Sequence, residues 1–125
     1  MGKAIQTYAD LPVYRDAFTL QQAIFHASTS WPKEETYSLI DQIRRSSRSI
    51  GANIAEAWAK RRYKAHFVSK LTDADAELQE TRHWLKTAHA CGYLCEEELN
   101  KLISSCASVG RQMGAILGHA DDFCL

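Results

Sequence analysis

Apolar residues recur along this chain at alternating steps of three and four. The first run is Val13, Ala17, Leu20, Ile24, Ala27 and Trp31. The second is Ile40, Ile43, Ser47, Ile50, Ile54 and Ala57, and the third is Phe67, Leu71, Ala74, Leu78, Thr81, Leu85 and Ala88. The fourth is Leu99, Leu102, Cys106, Val109, Met113 and Ile116. A repeat of 3.5 residues keeps one seam of a helix facing its neighbour. No segment alternates with period two, so strands are not expected. The pattern predicts helices over about 12–30, 33–62, 64–90 and 96–118. Short connections between them make successive helices antiparallel, hence an all-α, up-down-up-down four-helix bundle filling one domain, 1–125.

Punctuation agrees with this reading. Pro12 and Pro32 each precede a periodic segment, where the missing N–H costs nothing. Gly92 sits where the third helix needs a left-handed cap. Glu96, Glu97 and Glu98 put negative charge in the first turn of the fourth helix, where the dipole favours it.

Some residues fall off the seams. Tyr14, Phe18 and Phe25 form a second stripe on the first helix, and Trp58 and Trp84 also lie outside the main pattern. Gly110, Gly114 and Gly118 follow at steps of four on the fourth helix. A glycine inside a helix costs about 1 kcal/mol relative to alanine. Three on one face mark close approach of another backbone, either within the monomer or at a subunit interface. Tyr14, Phe18, Phe25, Trp58, Gly110, Gly114 and Gly118 are therefore the candidate interface residues, the surplus aromatics favouring that choice.

Composition narrows the compartment. No apolar run approaches the ~18 residues of a membrane helix. The start, Met1-Gly2-Lys3-Ala4-Ile5-Gln6, has no apolar signal core and no Ser or Thr at position 6 for myristoylation. A cytoplasmic location is the expectation. Cys91, Cys95, Cys106 and Cys124 are then expected as free thiols.

The net charge of zero hides an uneven distribution. Residues 1–43 carry −2, residues 44–70 carry +7 and residues 71–125 carry −5. The basic segment comprises Arg44, Arg45, Arg48, Lys60, Arg61, Arg62, Lys64 and Lys70 against Glu56 alone. Clustered cations neutralise phosphates and release counterions, so this segment is the candidate nucleic-acid surface. Arg44 and Lys60 would stand ~24 Å apart on one helix, giving two patches. Asp41 can pair with Arg45, and Glu56 with Lys60, at i,i+4; a merely solvated helix face is the plainer alternative.

Other chemistry is thin. A carboxylate-bridged metal site in a bundle wants two Glu-x-x-His pairs; Glu80 and His83 supply one, off the seam. His89, Cys91 and Cys95 give three zinc-ligand types without a finger spacing. The alternative is that both thiols pack beneath the turn while His89 is exposed. Asn53 and Glu56 flank the second seam, where a structural role is expected. No nucleophile has a base placed for it, and no glycine loop cradles a phosphate. No cofactor and no metal are expected, and no enzymatic activity.

The run Trp31-Pro32-Lys33-Glu34-Glu35-Thr36-Tyr37-Ser38-Leu39, then Gln42-Ile43-Arg44-Arg45-Ser46, Ser49-Ile50 and Asn53-Ile54-Ala55-Glu56, resembles one family. It is that of the bacterial four-helix bundle proteins encoded in intervening sequences of 23S ribosomal RNA genes. Ala76-Glu77-Leu78, Thr81, Gly92-Tyr93-Leu94 and Gly110-Arg111 extend the likeness from about Tyr14 to Leu117. The resemblance implies a homopentamer without catalytic activity. It also implies kinship to the accessory variability proteins of diversity-generating retroelements, pentamers that bind nucleic acid and a reverse transcriptase. The chain departs from the family at Gly51, where proline is common. Ala57 and Ala59 replace common glycines and should let the second helix run further. Cys95 replaces a capping serine and should cap less well.

Three functions follow as expectations. The first is an oligomer that binds structured RNA or DNA through the basic clusters. The second is a protein-interaction scaffold, and the weakest is a metal-dependent bundle enzyme.

Overall fold

The computed structural model describes residues 4–125. Four long helices carry the fold: α1 (Pro12–Ser28), α2 (Leu39–Ala59), α3 (Lys64–Ala90) and α4 (Glu96–Gly118). A short α5 (Ala120–Phe123) and two 3-10 turns, Tyr8–Asp10 and Lys33–Glu35, complete it, with no strand among the described residues. The long helices touch in the cyclic order α1–α2–α3–α4–α1, and the diagonal pairs do not meet.

The seams become the core. Every seam position of α2 and α3 is buried, including Ser47 and Thr81, and so are Val13, Ala17, Leu20 and Ile24 of α1. Near the end of α1 the stripe drifts by one: Ser28 is buried and Ala27 only half-buried. That drift follows from the mismatch between 3.6 residues per turn and a 3.5-residue repeat. α4 contributes less. Cys106, Val109 and Met113 are buried, but Leu99, Leu102 and Ile116 are only half-buried.

The hydroxyls on the seam are satisfied. Thr81 donates to Ser46 Oγ at 2.9 Å across the α2–α3 contact, and Ser46 donates on to the Ile43 carbonyl at 3.3 Å. Ser28 donates to the Phe25 carbonyl and accepts Arg44 Nε, both at 2.9 Å. A buried hydroxyl without a partner would cost more than the bond itself yields.

Helix ends depart from the sequence expectation in three places. Pro12 opens α1 as expected, but Pro32 precedes the 3-10 turn Lys33–Glu35, and α2 begins only at Leu39. Glu35 Oε1 accepts the Leu39 N–H at 3.4 Å across that gap. α1 stops at Ser28 because Thr29 and Ser30 turn their hydroxyls back to the His26 and Ala27 carbonyls, in competition with the helix. Ala57 and Ala59 do not lengthen α2. It ends at Ala59, where the Lys60 N–H is shared between the Glu56 and Ala57 carbonyls.

The α3–α4 turn follows expectation more closely. Gly92 has φ +83°, and the Gly92 and Tyr93 N–H groups return to the His89 and Ala88 carbonyls. This is a Schellman closure, which a side chain with a Cβ adopts only under strain. Cys95 completes a capping box with Glu98: its Sγ accepts the Glu98 N–H at 3.5 Å, and Glu98 Oε1 accepts the Cys95 N–H at 3.0 Å. That bond holds the Glu98 carboxyl below its ordinary pKa. On the side facing α2, Tyr93 donates to Glu35 Oε2 at 2.8 Å, which pushes its phenol up to about 12.

A double-mutant cycle tests the buried hydroxyl pair. Ser46→Ala and Thr81→Val each cost about 1 kcal/mol in denaturant unfolding, and the double variant costs less than their sum.

Candidate nucleic-acid interface

The basic segment does not form one surface, because successive positions on α2 face different neighbours. Arg44 and Arg48 turn toward α1, their guanidinium carbons 4.7 and 5.8 Å from the Phe25 ring centroid. Arg44 is further fixed by its bond to Ser28. Arg45 turns the other way, into a polar cleft of 350 Å³ lined by Gln42, Ser46, Ser49, Glu77 and Glu80. It pairs loosely with Asp41 at 3.9 Å, at the expected i,i+4 spacing. In the cleft the carboxyl of Glu77 is pushed up, first by partial burial and then by Glu80 and Asp73. Arg45 therefore sits among acids, while Arg44 and Arg48 sit on an aromatic ring.

The second cluster lies at the turn between α2 and α3. Arg61 stacks 3.5 Å over the Trp58 ring and donates Nε to the Trp58 carbonyl at 2.8 Å. Lys60 and Arg62 are exposed and have no carboxylate partner among the described residues. Lys64 is held by Asp121 of α5 at 2.8 Å, an exposed pair that pushes the ammonium pKa up. Glu56 pairs with Lys70 of α3 at 3.4 Å and not with Lys60, because its side chain crosses to the neighbouring helix. Asp73 also reaches Lys70, at 3.9 Å. Of the eight cations of this segment, five have no carboxylate partner among the described residues: Arg44, Arg48, Lys60, Arg61 and Arg62. Three of these lie over aromatic rings, Arg61 closest at 3.5 Å and Arg48 farthest at 5.8 Å, a contact in which arginine outdoes lysine.

The aromatic stripe of α1 lies on the same side of the helix as the first cluster, Phe18 standing about two turns before Phe25. Tyr8 meets Tyr14 edge-on at 4.8 Å, Tyr14 lies 6.3 Å from Phe18, and Phe18 is 45% exposed. Tyr14 covers Gly51 of α2, where an added Cβ would lie 3.4 Å from its ring. The three glycines of α4 divide. Gly110 faces Leu78 at 3.4 Å, whereas an added Cβ at Gly114 or Gly118 would meet nothing. Packing within the chain therefore accounts for Gly110 only. Sequence spacing placed Arg44, Arg45 and Arg48 together; the missing signal was Phe25, whose spacing on α1 shows which arginines it can hold.

A family model for the 23S rRNA-intervening sequence protein matches residues 9–115. The chain belongs to that family. No curated protein matches it. Among solved structures, this intervening-sequence protein is similar to a protein of unknown function from the S23 ribosomal protein family of Bacteroides thetaiotaomicron VPI-5482. The two are 25% identical with a TM-score of 0.77, over 85% of this chain and 95% of that one.

The remaining candidates in the intervening-sequence protein stay apart. Among the described residues, no three His, Cys, Asp or Glu side chains converge as metal ligands. Glu80 instead accepts the Trp84 indole N–H at 3.2 Å, and His83 packs on that indole at 4.7 Å. Cys91 and Cys95 are exposed and do not pack beneath the turn, since Tyr93 and Leu94 fill that space. Asn53 donates to the Ser49 carbonyl at 2.9 Å, a structural role. No helix among the described residues is long and apolar enough to cross a membrane. All four thiols are free; Cys106 is buried, and burial pushes it up to about 11. A chromogenic disulfide reagent at neutral pH should therefore titrate Cys91 and Cys95 quickly, and Cys106 only after unfolding. Cys91→Ser/Cys95→Ser should remove the fast phase.

Proposed function

We propose that this protein is a cytoplasmic, non-enzymatic homopentamer of antiparallel up-down-up-down bundles that binds structured RNA or DNA. The contacts fall to Arg44, Arg48, Lys60, Arg61 and Arg62. The observation that carries this reading is the state of those cations: none has a carboxylate partner, and three guanidinium groups are held on Phe25 and Trp58. A cation already fixed and unpaired gives up little entropy when a phosphate arrives, and the counterions it releases favour binding. Antiparallel neighbours agree with the short connections and the cyclic order of contacts. A fivefold axis, implied by the family resemblance, would repeat both clusters into belts of charge. The interface falls to Phe18, Tyr14 and the Gly114–Gly118 face of α4, where nothing within the chain accounts for the glycines.

A protein-binding scaffold is the second reading. It is favoured by the aromatic row in which Tyr8 and Phe18 are exposed and Tyr14 half-buried, and by the open groove between α1 and α4, where Ala23, Ala27, Leu94 and Leu102 stand beside Glu98, Lys101 and Ser105. Salt separates the two readings, because phosphate contacts weaken steeply with ionic strength and apolar docking does not.

Two outcomes are expected. In fluorescence anisotropy with a labelled RNA hairpin and a DNA duplex at two salt concentrations, wild-type affinity falls steeply with salt. Lys60→Gln/Arg62→Gln lowers the logarithmic slope by about 1–2, whereas Lys64→Gln, already neutralised by Asp121, changes it little. An absence of binding at low salt would remove the nucleic-acid reading. In size-exclusion chromatography with light scattering, Gly114→Ala lowers the mass toward the monomer. Its helicity is kept, because alanine favours the isolated helix by about 1 kcal/mol.

A further inference from the structure

Nine residues at the end of the bundle, Trp58 to His66, hold three ring side chains and four basic ones. We infer that this α2–α3 turn is a stacking site for an unpaired base of a single-stranded polynucleotide, with Tyr63 as its platform. The inference rests on the nucleic-acid reading above and makes it specific: one cluster takes bases, the other phosphates.

Tyr63 is a residue that folding does not explain. It is 59% exposed, so it adds little to the core. It occupies the N-cap of α3, yet makes no capping hydrogen bond there. Serine, threonine, asparagine or aspartate at that position would stabilise a helix of 27 residues, and tyrosine does not. Its ring instead leans on the exposed His66 imidazole, with centroids 5.4 Å apart at 51°. Close in sequence, the Arg61 guanidinium forms a second flat plate, pinned 3.5 Å over Trp58. Lys60 and Arg62 precede Tyr63 by three positions and one, exposed and without carboxylate partners among the described residues, and would supply the cations for phosphates next to a stacked base.

That combination suits single strands. Every base has a π-face that stacks on tyrosine or on a guanidinium plane, but a continuous duplex hides those faces. The cluster around Phe25 differs: Phe25 is half-buried and carries two guanidinium groups over its ring, which leaves cations exposed and no open ring. It serves as a phosphate clamp indifferent to base pairing.

The test uses the full-length assembled protein and a labelled single strand of about twelve nucleotides, alone or annealed to its complement. Wild type binds the single strand more tightly. Tyr63→Ala weakens single-strand binding about tenfold, leaves duplex binding within about twofold, and keeps the salt slope, since no cation is lost. Tyr63→Phe retains wild-type affinity, and both variants melt like wild type because the side chain is exposed. Equal loss on both probes, or no loss on the single strand while the duplex still binds, overturns the stacking site and leaves the nucleic-acid reading standing. No binding of either probe by wild type at low salt overturns both.

Discussion

Ile43, Ile50 and Ile54 of α2 and Leu71, Leu78 and Leu85 of α3 are all buried, and α2 and α3 share the most extensive contact in the fold. Near the centre of that contact the buried Thr81–Ser46 hydroxyl pair bonds one helix to the other and favours a single register. Apolar packing is tolerant of small slips, whereas a slip here breaks the hydroxyl bond across the contact and leaves each side chain only the carbonyl of its own helix, Glu77 for Thr81 and Ile43 for Ser46. Fixing the register fixes the turn that joins the two helices. Lys60, Arg61, Arg62 and Tyr63 are therefore presented together at one end of the bundle, and Glu56 comes within reach of Lys70. The same packing turns Arg45 toward the carboxylates of α3 and leaves Arg44 and Arg48 to α1.

Aromatic rings then decide which cations stay available. An exposed lysine or arginine beside an acid spends its charge on the neighbour, even if that pair adds little stability. Lys64, Lys70 and Arg45 are in this position. A guanidinium lying on Phe25 or Trp58 keeps its charge and its donors while losing mobility. The structure thus sorts eight basic residues of one sequence segment into charges already spent and charges kept.

Much of this was legible in the chain, and the failures have physical reasons. The seams of α2 and α3 were readable position by position, because a fully buried stripe repeats without exception and even Thr81 and Ser47 obey it. The end of α1 was not. There the stripe drifts to Ser28, a polar residue whose hydroxyl is satisfied by the Phe25 carbonyl and by Arg44, a partner on another helix. Pro12 and Gly92 act through local backbone geometry and were read correctly. Pro32 was over-read, since proline starts a 3-10 turn as readily as an α-helix. The Glu56–Lys60 expectation obeyed helix geometry but ignored Lys70, 14 positions away in sequence and 3.4 Å away in space. The divided roles of Arg44, Arg45 and Arg48 could not be read from α2 alone, because they depend on which neighbour packs on which side.

That Phe18 stands about two turns before Phe25 on one side of α1 bears on assembly. In the proposed ring, an interface that buries the aromatic row also draws the guanidinium groups of Arg44 and Arg48 toward the boundary. Desolvating an unpaired cation costs several kcal/mol, so those groups must remain in water or find an anion. A polynucleotide phosphate is such an anion. Assembly and nucleic-acid binding then become linked: each phosphate bound at the boundary removes a charge that opposes closure, and each closed ring offers the phosphates a denser belt. Tyr63 belongs to the turn beyond Ala59 and makes its ring contact with His66, not with the aromatic row of α1. In the proposed assembly, one end of each bundle would stack bases while its flank would hold the backbone and the neighbouring subunit together.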